Sequence, residues 1–192
     1  VNISVIGNGQ SRQSIDLDSF KDWTIGCNAI CRDYICDEIV AVDRRMVAEI
    51  LALNYKNIIY TRPDWAATFK NPLVKSLPDV PFTGPLKADI PFHWNSGPYA
   101  ILLAALRSPK QINLIGFDLW GDSGKVNNIY KNTTNYSSID SKPVDPTHWV
   151  HQIKKLCEFY NSIEFVQHQV LDWQIPKEWL SIKNLTIKHF PV

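Results

Sequence analysis

Apolar residues are gathered in short runs, each closed by glycine or a polar side chain. Positions 2–6, 23–27, 38–42, 57–60, 111–115 and 163–166 are rich in Ile and Val, which suit a pleated and buried surface, so each predicts a strand. Helical patterns lie between them. One runs from Asp43 through Leu53, one covers 96–106 with Pro98 in its first turn, and one runs from Asp145 and Pro146 through Asn161. Ser96 can cap the second, and Asp145 or Thr147 the third. Strands alternating with helices predict an α/β fold, Rossmann-like, with a mostly parallel, doubly wound sheet.

Three stretches lack such a pattern. Residues 61–94 are broken by six prolines, which predicts mostly irregular chain and a candidate wall for a site. Residues 119–146, after Gly116-Phe117-Asp118, are rich in Asn, Ser and Gly with Tyr130 and Tyr136 embedded; they predict a flexible flap inserted in a single domain spanning 1–192. The tail from Trp173 contains 185–188, which reads either as an edge strand or as a contact with another copy in a homo-oligomer.

Ligands of doubly wound sheets sit outside the carboxyl ends of the strands, where the strand order reverses. Asn8, Asn28, Asp43 and Asp118 all fall at such ends. Composition narrows the partners. The 20 basic residues nearly cancel the 19 acidic ones, leaving a formal charge of +1 and no general attraction to nucleic acid. The chain has no apolar run of membrane-spanning length and no basic-then-apolar leader, so a cytoplasmic location without a transmembrane segment is expected. Cys27, Cys31, Cys36 and Cys157 lack the second CxxC or His pair of a zinc site, and read as free thiols in a reducing compartment.

The Gly7-Asn8-Gly9 turn departs from the G-x-G-x-x-G fingerprint, because Arg12 occupies the third glycine position. Its backbone N–H groups, helped by Ser11 or Arg12, are still a candidate phosphate cradle. A second constellation, Asn95-Ser96-Gly97-Pro98-Tyr99, opens a helix whose following strand ends in Gly116-Phe117-Asp118.

Taken together, Gly7-Asn8-Gly9-Gln10-Ser11, Gly26-Cys27-Asn28, Asn95-Ser96-Gly97-Pro98-Tyr99 and Ile115-Gly116-Phe117-Asp118 resemble the bacterial sialyltransferases of glycosyltransferase family 42. The resemblance implies a metal-independent transferase using CMP-sialic acid as nucleotide-sugar donor and a glycan as acceptor, with no separate cofactor. It implies a nucleotide held by the residues matching Asn8, Asn28 and Ser96; the glycine turn, the helix start and the strand ends add Gly7, Gly9, Ser11, Asp43, Gly97 and Asp118 to the same candidate site. His148 matches the general base of those enzymes. The chain departs from the family in having Asp43 in place of an asparagine and Trp120 in place of a tyrosine that binds the leaving phosphate; Tyr130 is a candidate for a second such tyrosine.

His151 lies three residues beyond His148 on the same helical face, and His93 beside Trp94 is a further candidate base. A second reading is open. The chain also resembles 6-hydroxymethylpterin pyrophosphokinase-like domains, which use ATP with Mg²⁺, and Asp43 with Asp118 would then hold the metal against phosphates. A third reading is a catalytically inactive binding module, for which Trp120 is the best sign.

Overall fold

The computed structural model of the protein describes residues 1–190; residues 191 and 192, the end of the predicted domain and tail, lie outside them. Among the described residues eight strands form one all-parallel sheet: β1 (Asn2–Ile6), β2 (Trp23–Cys27), β3 (Glu38–Val40), β4 (Ile58–Thr61), β5 (Val74–Ser76), β6 (Gln111–Ile115), β7 (Glu164–Gln169) and β8 (Leu185–His189). Their spatial order is β5-β4-β3-β2-β1-β6-β7-β8. The chain therefore builds outward from β1 in one direction, then crosses back to start again at β6. The order reverses between β1 and β6.

Among the described residues four α-helices connect and cover the strands: α1 (Arg44–Ala52), α2 (Pro63–Phe69), α3 (Ser96–Ala105) and α4 (Thr147–Phe159). Successive strand residues point to opposite faces, and both faces bury apolar residues over β1 to β3, although Ser4 and Thr24 on the second face bond to Asp22 and Asp37. Ile3, Val5, Ile25, Cys27 and Val40 join one core with α3 and α4, while Ile6, Ile39 and Ala41 join another with Met46, Val47 and Ile50 of α1. From Pro98 to Ala105 every residue of α3 is buried, because the helix is sandwiched between the sheet and α4. An apolar surface all round is what that position requires. Val150, Ile153, Leu156 and Cys157 give α4 its buried stripe.

Several expectations need correction. The stretch 61–94 is less irregular than its prolines imply, since Pro63 sits in the first turn of α2, where its missing N–H costs nothing, and β5 follows. The segment 119–146 carries neither helix nor named strand, but it is not a purely polar flap. Leu119, Val126 and Tyr130 are buried in it. Ser96 does not cap α3; Asn95 is at the cap position with no side-chain bond, and Ser96 begins the helix with its hydroxyl directed elsewhere. The 185–188 run is an edge strand, paired in parallel with β7.

All four cysteines are free, with Cys27, Cys36 and Cys157 buried. Burial pushes the Cys27 thiol up to about 12. Among the described residues no helix is long and apolar enough to cross a membrane.

Candidate functional site at the strand order reversal

The parallel register sets loop beside loop. Ile6 pairs with Gly26 on one side and Ile115 on the other, so the turns after β1, β2 and β6 emerge together. Gly7 donates its N–H to Ile115 O at 2.8 Å, and Gly9 donates to Gly116 O at 2.9 Å, locking the first turn to the sixth strand's exit. Only glycine fits Gly9, because a Cβ there would overlap the Asp118 carboxylate, and Gly116 has a left-handed φ of +71°.

A cavity of about 200 Å³ opens over this junction, lined in part by Gly7, Asn8, Gly9, Asn28, Ser96, Gly97, Asp118 and Trp120. The sequence-predicted residues in that set are thus brought together by the fold. Asn28 takes a left-handed conformation, φ 54°, which turns its side chain toward α3. Ser96 Oγ donates to Asn28 Oδ1 at 2.8 Å and accepts from Val42 N at 3.1 Å, tying α3 to the exits of β2 and β3. Asn8 donates from Nδ2 to Cys27 O at 2.9 Å, while its Oδ1 is buried without a partner. An orphaned buried acceptor costs about 1 to 3 kcal/mol, which a ligand donor would recover.

The amino end of α3 adds donors. The first turn of a helix leaves its N–H groups without intrahelical partners, and here Ser96 and Gly97 of that turn line the cavity while Pro98 has no N–H to offer. Among the described residues no lysine, arginine or histidine lines this cavity. Negative charge on a ligand would be met by helix-end dipole and amide N–H groups.

Other predicted site residues lie elsewhere. Asp43 accepts from Arg45 N at 2.8 Å and pairs with the Arg45 guanidinium at 3.0 Å, so it caps α1 rather than lining the cavity. Those bonds hold its carboxyl below the usual range. Ser11 is not free to cradle phosphate, since its N–H and hydroxyl both bind the Asp118 carboxylate. Asp118 also accepts from Gln169 Nε2 at 3.1 Å, so its oxygens face inward. Arg12 is buried, paired with Asp33 at 2.8 Å and bonded to the Tyr130 hydroxyl at 3.1 Å. Tyr130 also donates to Asp33 and packs in the α1-side core, away from the cavity; burial and then the Asp33 bond raise its pKa.

His148 lines a second cavity of about 540 Å³, shared with His151 and Lys154 of α4. Trp120 borders both cavities. His93 stands edge-on to His148 with ring centres 6.0 Å apart; its pKa is lowered by burial and by Lys87, His148 and Arg62 nearby. His151 is committed to Asp89, whose carboxylate lies 2.8 Å from Nε2.

Sequence reasoning missed Asn127 and Asn128, which bring the 119–146 segment to the cavity wall, where Asn127 Oδ1 accepts from Gln10 N at 2.8 Å. Their only local sign was a pair of asparagines in a polar stretch. The fold and cavity define a Rossmann-like α/β protein whose cleft at the strand order reversal is lined, among the described residues, by apolar side chains, neutral polar groups and the Asp118 carboxylate, with no cationic side chain. No protein-family model, curated protein or solved structure matches the chain.

Proposed function

We propose that the protein is a glycosyltransferase that holds a nucleotide-sugar donor of the CMP-sialic acid type at the order reversal and transfers the sugar to a glycan hydroxyl. The observation that carries this reading is the convergence of Asn8, Asn28 and Ser96 on one cavity beside the amino end of α3. The unpartnered Asn8 Oδ1 supports it as an acceptor for a nucleoside N–H or O–H, and the Ser96 and Gly97 N–H groups as donors to the leaving phosphate. In this reading His148 removes the proton of the acceptor hydroxyl as that oxygen attacks the anomeric carbon, and the nucleotide phosphate departs with the bonding electrons.

The Mg²⁺-dependent pyrophosphokinase reading needs Asp43 and Asp118 to act together. Asp43 is engaged with Arg45, and the Asp118 oxygens with Ser11 and Gln169. That geometry favours the transferase.

Thermal unfolding with a panel of CMP, CMP-sialic acid, UDP-glucose and ATP, each with Mg²⁺ or with EDTA, tests the proposal. A ligand at a hundred times its Kd adds about 2.7 kcal/mol, a rise of several degrees for a chain of this size. CMP ligands are expected to stabilise equally in both conditions. Stabilisation by ATP alone, dependent on Mg²⁺, would overturn the reading in favour of the pyrophosphokinase.

A further inference from the structure

The two cavities share one lining residue, Trp120. Its placement is built in. Leu119 has a left-handed φ of 63°, Trp120 N donates to Asp118 O at 2.7 Å, and the indole N–H donates to Gln174 O at 2.6 Å. With its only polar atom bonded to the backbone, the indole has its hydrocarbon faces left to offer, and it remains 37% exposed. An indole with a fixed N–H cannot replace a tyrosine hydroxyl as a donor to phosphate. It can be a flat apolar platform.

Around that platform the second cavity carries Lys87, Lys154, Asp145, Glu178 and the Thr147 hydroxyl. Two lysines and two carboxylates lie in this lining, so it offers both donors and acceptors with little net charge; Asp145 also accepts from the Thr147 N–H at 2.9 Å and from the Thr147 hydroxyl, and Lys154 lies 3.6 Å from Glu158. A polyanion would gain little there, and an apolar ligand would leave these groups unsatisfied. A saccharide fits both features, because its ring hydroxyls exchange hydrogen bonds at the rim and its C–H face packs on an aromatic ring. The volume of about 540 Å³ is within the range of small-molecule sites.

We propose that the second cavity is a binding site for an uncharged saccharide, stacked on Trp120 and hydrogen-bonded by Lys87, Lys154, Asp145 and Glu178. This rests on the transferase reading in one respect: the site then places the acceptor sugar across Trp120 from the donor and beside His148.

Saccharide binding is measured on the full chain without nucleotide, by saturation-transfer difference NMR and calorimetry, with methyl β-galactoside, methyl β-glucoside, maltose and lactose as probes. At least one probe is expected to bind at millimolar concentration with its ring C–H protons most strongly saturated. Trp120→Ala should weaken that binding about tenfold or more, while Trp120→Phe keeps most of it. Glu178→Gln with Lys87→Met, at exposed rim positions, supplies an independent loss should Trp120→Ala fold poorly. Binding of no probe, or binding that survives both Trp120→Ala and the rim double variant, would overturn the proposal. The two readings separate cleanly: saccharide binding that depends on Trp120 stands even where CMP ligands fail to bind, and CMP binding without saccharide binding removes this site alone.

Discussion

Ser96 at the start of α3 donates its hydroxyl proton to Asn28 Oδ1, 68 residues earlier in the chain, across a distance of 2.8 Å. The same oxygen accepts from Val42 N. One hydroxyl thus joins a helix start to the exits of two parallel strands, which fixes the amino end of α3 over the candidate nucleotide cleft. A cap would have used that hydroxyl on the helix itself. Here it is used on tertiary structure instead.

Removing it has two separable consequences. Ser96→Ala leaves the Val42 N–H and the Asn28 carboxamide without their partner, and is expected to destabilise the fold by about 1 to 3 kcal/mol. Asn28→Ala should weaken CMP binding by about 1 to 3 kcal/mol for loss of a half-buried polar partner. Urea denaturation and calorimetry read the two quantities. Unchanged CMP affinity in Asn28→Ala would remove this residue from the nucleotide site.

The strands that matter most to the site were readable from sequence because each holds four consecutive residues buried on both faces. β1, β2 and β6 all follow that pattern, and the polar residue after each is what a switch-point ligand meets. β5 was not readable. Val74-Lys75-Ser76 buries one residue of three and follows a proline-rich stretch. The roles of Ser11 and Tyr130 were hidden for a different reason: their partners Asp118 and Asp33 lie 107 and 97 residues away, and no local pattern encodes such a pairing. Asp43 misled because a residue at a strand end is also a residue at a helix start, and its carboxylate serves the helix.

Asp118 separates the two enzymatic readings through stability. Its carboxylate accepts bonds from Ser11 N, Ser11 Oγ and Gln169 Nε2 while buried. Asp118→Ala strands all three donors and should cost about 2 to 4 kcal/mol, visible in the denaturation midpoint. Asp118→Asn keeps the shape and one acceptor oxygen, and should cost less. A metal-ligand role predicts instead that Mg²⁺ stabilises the wild type and fails to stabilise Asp118→Asn.

The neighbouring histidines of α4 are expected to fail in different ways. His148 borders the cavity next to Trp120, so His148→Ala should lower transfer about 10²- to 10⁴-fold with CMP affinity nearly unchanged, as for loss of a general base. His151 faces buried Asp89, whose carboxyl is held below its usual range: burial opposes ionisation, but the bonds from His151 and Leu86 N, with Lys155 nearby, outweigh it. His151→Ala should therefore lower stability by about 1 to 3 kcal/mol and affect transfer little. Full transfer by His148→Ala would remove that residue as base.

His168 makes the pH dependence of stability testable away from the site. On β7 it packs edge-on against Phe20, with Nε2 2.9 Å from Asn113 Oδ1, and Asn113 in turn donates to Asp22. Burial, then the charge of Lys188, lowers its pKa to about 4 from an ordinary 6.5, with Asp22 acting in the opposite sense. The unfolded chain binds this proton below about pH 6.5, whereas the folded protein resists it until about pH 4. Stability from the neutral ring is thus fully present above pH 6.5 and is lost as pH falls toward 4, up to about 3 kcal/mol in total. His168→Gln keeps an amide to bond Asn113 but removes the titration. Denaturation of both proteins from pH 7.5 to 4 should show the wild type losing more stability than the variant, with the difference confined to that window. Parallel pH curves would mean that His168 takes up its proton in the folded state as readily as in the unfolded one.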